Sequence, residues 1–231
     1  MPLAPLILAI ETSNPSTGTD SCPSAGVAIV RRSEHGGPEI IGVESLQETG
    51  RHDDDLMPAI DRLLARAHLQ PGQIDRVAVS IGPGGYTGLR VAATTANVIA
   101  EVCSAQVVGV PTACALIRRT KVPKPCAIGL AVKGRSVWVH RFPEDEAGVV
   151  AVESLCEIGL KGIVVDQFLP GDIREVLAER GVVFESPRYD PVAVAEASDA
   201  FEPSSVVAAL YAREPEAVTR WRAHHPSPSA D

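Results

Sequence analysis

The sequence predicts an α/β protein of two lobes, of which the second is abbreviated. In the first half, the hydrophobic pattern gives three strands followed by helix, strand, helix, strand and helix, which is the order of a complete α/β lobe. The run Lys121-Val122-Pro123-Lys124-Pro125 is typical of a linker, and the elements beyond it are fewer and shorter. We therefore predict a first lobe over 1–120, a second over 121–215 and a disordered tail over 216–231.

The composition indicates a globular protein that does not hold nucleic acid by itself. Its 231 residues are 45% hydrophobic, and its net charge is -8. A sizeable core is therefore possible, whereas phosphate neutralisation would need a basic surface. The apolar N-terminal segment is too short to span a membrane and lacks the features of a signal peptide.

The cysteines favour a cytoplasmic location. They are odd in number and include no Cys-x-x-Cys pair, which argues against a zinc site or a disulfide framework. We expect Cys103, Cys114 and Cys126 to act as small buried hydrophobic residues. The five positions are Cys22, Cys103, Cys114, Cys126 and Cys156.

The first elements form an antiparallel meander followed by an amphipathic helix. Leu6 to Glu11 is the first predicted strand, and strands over 25–32 and 40–46 return beside it. Between the first two, residues 14–24 are small, polar and turn-forming, and we expect an exposed loop. The helix over 53–67 begins with three aspartates, which suit the positive end of the helix dipole. Its apolar face comprises Leu56, Ile60, Leu63, Leu64 and Ala67.

The stretch over 77–102 is the organising unit of the first lobe. A buried strand over 77–81 leads into the turn Gly82-Pro83-Gly84-Gly85, and Thr87 is the predicted N-cap of a helix over 87–102. Such a turn could hold a phosphate on backbone amides, or it could let the helix pack closely on the sheet. Neither the P-loop nor the Gly-x-Gly-x-x-Gly fingerprint is present, so we favour the packing interpretation. If Gly84 has a positive φ, a β-branched residue there would be costly.

The second predicted helix carries a face of small side chains to which another helix could approach closely. The small residues are Ala92, Ala93, Thr95, Ala96 and Ala100, and the apolar bulk comes from Leu89, Val91, Val98 and Ile99. Such a face either packs inside the fold or receives a partner helix. The sequence leaves both interpretations open.

In the second half, strands over 127–132 and 136–142 enclose the turn Lys133-Gly134-Arg135. Asp145 and Glu146 follow in a predicted solvated turn. A strand over 162–166, a helix over 172–180, a strand over 182–184 and helices over 193–197 and 204–212 complete the chain. No glycine-rich loop of the kind that binds adenosine is evident here, so a full nucleotide cleft is not expected.

Four motifs resemble those of the TsaB (YeaZ) family. Residues 82–90, GPGGYTGLR, resemble GPGSFTGLR, with Gly82, Pro83, Gly84, Gly85, Thr87, Gly88 and Arg90 as the matching signature. In the expected order, ILAIETS at 7–13 resembles ILAIDTS, RHDDDLMP at 51–58 resembles RxHSxxLLP, and VGVPT at 108–112 resembles VxGVSS. The resemblance implies an actin-like ATPase (ASKHA, ribonuclease H-like) fold with a shortened C-terminal lobe.

The resemblance also implies a role in making threonylcarbamoyladenosine in tRNA. Members of that family are non-catalytic subunits. In this chain, Glu11, Thr12 and Ser13 would correspond to a vestigial phosphate-binding loop. Helices 53–67 and 87–102 would bind the catalytic paralogue TsaD, and self-association through them would compete. ATP and metal would belong to TsaD and the ATPase TsaE, and tRNA would be reached only through the complex. The partner-binding residues would be Leu56, Ile60, Leu63, Ala92, Ala93, Ala96 and Ile99.

Two enzymatic alternatives remain at this stage. An M22-type metallopeptidase would need several metal ligands, but in the stretch beside helix one only His52 with its neighbouring aspartates is offered, and Leu56 stands four residues on, where a second imidazole would be needed. An ATP-dependent kinase of the actin-like superfamily would need a carboxylate near the second hairpin. Ala131, Val132 and Lys133 supply none there, which also departs from the TsaB pattern.

Overall fold

A computed structural model of the protein describes residues 4–13, 25–32, 37–46 and 55–213, together with Trp221 and His224. The strands are β1 Leu6–Glu11, β2 Gly26–Arg31, β3 Glu39–Ser45, β4 Arg76–Gly82, β5 Gln106–Pro111, β6 Cys126–Lys133, β7 Ser136–Phe142, β8 Glu146–Ala151, β9 Gly162–Val165 and β10 Val183–Glu185. The α-helices are α1 Leu56–Ala67, α2 Tyr86–Cys103, α3 Thr112–Leu116, α4 Gly171–Glu179 and α5 Pro191–Ala197.

The first sheet has the strand order β3-β2-β1-β4-β5. β1, β2 and β3 form the predicted antiparallel meander, while β4 and β5 run parallel to β1. Alternating side chains of the sheet go to two cores, one under α1 and α2 and the other under α3 and α5. The central strands are mostly apolar because both faces of the sheet are covered.

The second sheet has the order β10-β9-β6-β7-β8. Its hairpin β6 and β7 was predicted almost to the residue, but β8 was missed. Asp145 forms the expected turn, with φ of 59°, whereas Glu146 already begins β8. The strand EAGVVA lies at the sheet edge with alternate exposed residues, so its hydrophobic signal is weak.

The chain returns to the first sheet after completing the second. The predicted linker does lead into the second sheet, which begins at Cys126. However, the side chains of α5 are buried against the first sheet, and the segment after it stays there: the amide of Ser204 donates to the carbonyl of Val107. The part packed around the second sheet is therefore 126–185, and residues 191–211 are part of the first lobe.

Several predicted elements differ from the structure. Residues 204–212, predicted as a helix, are irregular and hydrogen-bonded to other elements. α2 begins at Tyr86 with Gly85 as N-cap, so Thr87 is inside the first turn and does not cap it. α1 begins at Leu56, and Asp55 makes a two-bond ion pair with Arg62 at 2.9 Å without capping the helix. α3, for which the sequence predicts a helix from Thr112 to about Arg119, ends at Leu116.

Some predictions fall on positions outside the described residues. These include the 14–24 loop, Cys22, His52, Asp53 and Asp54. Within the predicted tail, Trp221 and His224 have helical backbone. Cys103, Cys114, Cys126 and Cys156 are free thiols, of which Cys126 alone is fully buried. Among the described residues, no helix is both long and apolar enough to cross a bilayer.

Candidate functional site

The signature turn packs against the corner that follows β1. The amide of Gly85 donates to the carbonyl of Ser13 at 2.6 Å, and the hydroxyl of Thr12 donates to the carbonyl of Gly88 at 3.0 Å. Both corner residues are buried. The turn and the corner therefore satisfy each other's polar groups, which favours the packing interpretation over a phosphate cradle.

The glycines of the turn are required for two different reasons. Gly82 has a φ of 106°, which side chains with a Cβ rarely adopt. A positive φ at Gly84, which the sequence suggested as one reason for a glycine there, is not found in the structure. Instead, a Cβ on Gly84 would overlap the carbonyl of Ser13, and one on Gly88 would lie 2.7 Å from the carbonyl of Thr12. Close backbone approach therefore explains Gly84 and Gly88.

Glu11 is the most deeply buried carboxyl group in the described part of the chain. It is 1% exposed, and its Oε1 accepts from the amide of Ser13 at 2.7 Å and from its hydroxyl at 2.5 Å. Burial raises the pKa of Glu11 above its ordinary value, although hydrogen bonds from Ser13 and Ser80 oppose this. Ser80 is in turn bonded to the hydroxyl of Thr112 at 2.8 Å. The corner is thus a closed polar network within the lobe.

Two signature residues, Thr87 and Arg90, are exposed in the first turns of α2. Arg90 donates to the hydroxyl of Tyr211 at 3.1 Å, and its guanidinium lies 5.3 Å from the ring centroid of Tyr86. Tyr86 and Tyr211 are stacked with ring centroids 4.2 Å apart. Arg90 therefore organises a contact with the C-terminal segment.

The structure places most of the predicted partner-binding residues in the core of the first lobe. Ile99 is half-buried, and the other six are at most 5% exposed, namely Leu56, Ile60, Leu63, Ala92, Ala93 and Ala96. The small-residue face of α2 packs on the first sheet. Those six side chains are buried in the chain by itself, and the periodicity had identified the core face of each helix.

The solvent-facing side of α1 and α2 carries a separate group of apolar residues. Met57, Val98 and Val102 are 51%, 56% and 78% exposed. Together with Ile99 and Asp61 they line a groove between α1 and α2, with a volume of about 220 Å³. We call these residues the α1/α2 groove. Val98 and Val102 are four residues apart outside the alanine stripe, and this second periodic pair was the signal in the sequence that could have identified them.

The second hairpin offers backbone carbonyls and no carboxylate. The register of β6 and β7 shifts between Leu130 and Lys133, and Ala131 has a φ of 52°. The Arg213 guanidinium lies against these carbonyls. Among the described residues, no group of three or more His, Cys, Asp or Glu could hold a metal ion. His52, the histidine of the predicted metallopeptidase alternative, lies outside the described residues.

The two sheets, the three antiparallel strands leading into parallel β4 and β5, and the corner facing a glycine-rich turn define a two-lobed protein of the actin-like ATPase type. Two solved structures share this fold over 90% of the chain. One is an uncharacterised protein with similarity to peptidase YeaZ from Pseudomonas aeruginosa (TM-score 0.64, 18% identity, all of that chain covered). The other is YeaZ from Pseudomonas aeruginosa (TM-score 0.60, 16% identity, 99% of that chain covered).

The sequence comparisons identify the family. The model of TsaD, tRNA N6-adenosine threonylcarbamoyltransferase, matches residues 42–201, and the chain belongs to this family. The tRNA threonylcarbamoyladenosine biosynthesis protein TsaB of Bacillus subtilis (strain 168) is 31% identical over 94 residues. That match covers 41% of the chain and 35% of the length of the TsaB protein. The resemblance to TsaB (YeaZ) proteins predicted from the four motifs is thereby confirmed.

Proposed function

We propose that the chain is a TsaB-like, non-catalytic subunit that supports a TsaD-type transferase in forming threonylcarbamoyladenosine in tRNA. The observation that carries this proposal is the α1/α2 groove. Its three exposed residues, Met57, Val98 and Val102, form an apolar surface on two neighbouring helices. Apolar side chains concentrated in one place mark protein contact sites more often than scattered ones do. The family resemblance supports a TsaD-like protein as the partner.

The proposed contact uses the same helices as the sequence prediction but a different face. Leu56, Leu63, Ala92, Ala93 and Ala96 are buried in the lobe, whereas Ile60, although buried, also lines the groove. Ile99 is the one residue of the predicted set that is half-buried at the groove itself. A partner helix lying in the groove would cover Met57, Val98 and Val102 together. Association of two copies through this groove would exclude the TsaD-like partner, so homodimers are the competing state.

The absence of catalysis by this chain alone is also part of the proposal. Two features support it. The amide of Gly85 and the carbonyl of Ser13 bind each other, so that amide is not available to a phosphate. Ala131, Val132 and Lys133 provide no side-chain carboxylate for a metal-bound nucleotide. ATP, metal and a TsaE-like ATPase would act on the partner side of a cytoplasmic complex, and the net charge of -8 favours indirect contact with tRNA.

The proposal is tested by placing a charge in the groove. The double variant Val98→Arg/Val102→Arg puts two guanidinium groups where the partner must pack. Burying two bulky cations at this contact should weaken binding of the TsaD homologue from the same organism by about a hundredfold or more. Affinity is measured by calorimetry, and thermal melting shows whether the variant remains folded.

A matched control uses an exposed valine away from the groove. Val149 is 47% exposed on edge strand β8, so Val149→Arg makes the same chemical change on the second sheet. We expect it to bind the TsaD homologue as the unmodified chain does. If the groove variant melts normally and also retains the original affinity, the α1/α2 groove is not the contact surface.

A further inference from the structure

The C-terminal segment connects two parts of the molecule that are far apart in sequence. We call residues 204–213 the strap. Its first part is fixed to the first lobe: the carbonyl and amide of Val207 exchange hydrogen bonds with the side-chain amide of Asn97, both at 2.9 Å. Further along, the amide of Leu210 donates to the carbonyl of Ile81 at 2.7 Å. The strap thus lies across α2 and the end of β4.

Aromatic stacking adds a third attachment to α2. Tyr211 lies parallel to Tyr86, with an angle of 10° between the ring planes, and its hydroxyl accepts from Arg90. Asn97, Tyr86 and Arg90 all belong to α2. The strap therefore holds this helix along three of its turns.

The end of the strap reaches the second sheet. The Nη2 atom of Arg213 lies 2.6 Å from the hydroxyl and 3.0 Å from the carbonyl of Ser136, and 3.3 Å from the carbonyls of both Ala131 and Lys133. The ladder between β6 and β7 is interrupted here. The Nη2 atom of Arg213 carries two N–H groups and donates within this cluster of acceptors, and the hydroxyl of Ser136 also donates to the carbonyl of Lys133 at 3.3 Å.

The strap is the third place where the described chain crosses between the two sheets. The first crossing is the linker over 121–125, and the second is the segment over 186–190 that leads into α5. Both are continuous backbone. In the strap, by contrast, the contact with the second sheet is made by side chains: Ala212 packs against the core that includes Ile128, Leu130 and Trp138, and Arg213 supplies the hydrogen bonds to the hairpin.

We propose that the strap is a clasp that couples α2 to the β6–β7 hairpin, with Arg213 as its releasable end. This inference goes beyond the proposed function and does not depend on the identity of the partner. When Arg213 is in place, the hairpin and α2 are held in one arrangement. When it is released, both the hairpin and the strap gain mobility. A ligand that binds one arrangement of α2 more tightly would shift the hairpin toward the same arrangement. A ligand of the hairpin would act on α2 with the same coupling free energy.

Hydrogen exchange of the full chain tests the clasp. Arg213→Ala should raise amide exchange by about tenfold in the hairpin at 131–136 and also in the strap at 204–211, because local opening there no longer breaks the Arg213 contacts. Arg188→Ala is the control, since Arg188 is exposed and makes no hydrogen bond or ion pair with the described residues. Arg188→Ala should leave amide exchange unchanged in both the hairpin and the strap.

A second variant approaches the clasp from its other end. Asn97→Ala removes the hydrogen bonds to Val207 in the first lobe, and the clasp predicts faster exchange in the hairpin, where no residue has been altered. If each substitution accelerates exchange only in its own lobe, Arg213 is a local support of the hairpin and the proposal is wrong. Unchanged exchange in both variants would equally overturn it.

Discussion

The amide of Gly85 donates to the carbonyl of Ser13 at 2.6 Å, and this hydrogen bond joins the signature turn to the corner after β1. The two segments come from parallel neighbouring strands, and their approach is close enough to exclude side-chain atoms between them. The turn is consequently part of the packing of the lobe, and its glycines are needed for stability.

Gly84→Val should destabilise the protein through overlap with the carbonyl of Ser13. Forcing extra atoms into such a contact costs about 1–3 kcal/mol in the free energy of unfolding. Denaturant unfolding measures the change. Gly72 is the control because a Cβ there meets no atom within 4 Å. Gly72→Ala should therefore be close to neutral, and equal effects of the two substitutions would contradict the close approach at Gly84.

Ala96→Arg should prevent stable folding, whereas Val98→Arg should not. Ala96 is fully buried under the first sheet, so its replacement places an unpaired charge in the core at a cost of roughly 4 kcal/mol or more. Val98, two residues later on the same helix, is 56% exposed, and its change should stay within about 0.5 kcal/mol. Thermal melting distinguishes the two. A normally melting Ala96→Arg protein would contradict the assigned helix face.

Glu11 should make the protein less stable as pH rises. Burial raises its folded pKa above the ordinary 4.5, so between these two values the folded state binds more protons than the unfolded state. The stabilisation is complete below 4.5 and is lost as pH rises through the folded pKa. The free energy of unfolding of the Glu11→Gln variant should therefore fall less than that of the unmodified chain between pH ~4.5 and neutral pH, as measured by denaturant unfolding.

Asp172 provides the control for this pH dependence. A hydrogen bond from Arg135 lowers its pKa, so its contribution is lost as pH falls and has the opposite sign. Asp172→Asn should leave the decline toward neutral pH unchanged. An identical pH profile for the Glu11→Gln variant and the unmodified chain would show that Glu11 does not have a raised pKa.

Cys114 should be a slow nucleophile in the folded protein. Burial, with a smaller effect of Asp145, raises the pKa of its thiol from 9.0 to about 11. At pH ~8 this lowers the thiolate fraction about a hundredfold, and alkylation proceeds through the thiolate. Mass spectrometry can follow iodoacetamide labelling of the Cys114 peptide. Labelling in the native chain as fast as in the urea-unfolded chain would contradict the prediction.

Patterns local in the sequence determined most of the elements. The first strand, the meander, the β6–β7 hairpin and the strand, turn and helix around the signature were all predicted because each carries its own periodicity or turn residues. The sequence did not predict β8 or the conformation of the residues after Phe201 correctly. The strap contains short apolar groups that suit a helix, yet its backbone bonds to Val107, Asn97 and Ile81, and the sequence does not show those partners.

The α1/α2 groove shows more clearly that local sequence patterns do not determine which residues are buried. The sequence by itself determined the family motifs, the glycine-rich turn and the two amphipathic helices, because these depend on residues close together in the chain. It could not determine which helix face is outside. Only the tertiary structure decided that Ala92, Ala93 and Ala96 are core and that Met57, Val98 and Val102 are surface. The physical reason is that burial depends on the sheet packed beneath each helix, which is assembled from strands throughout the first lobe.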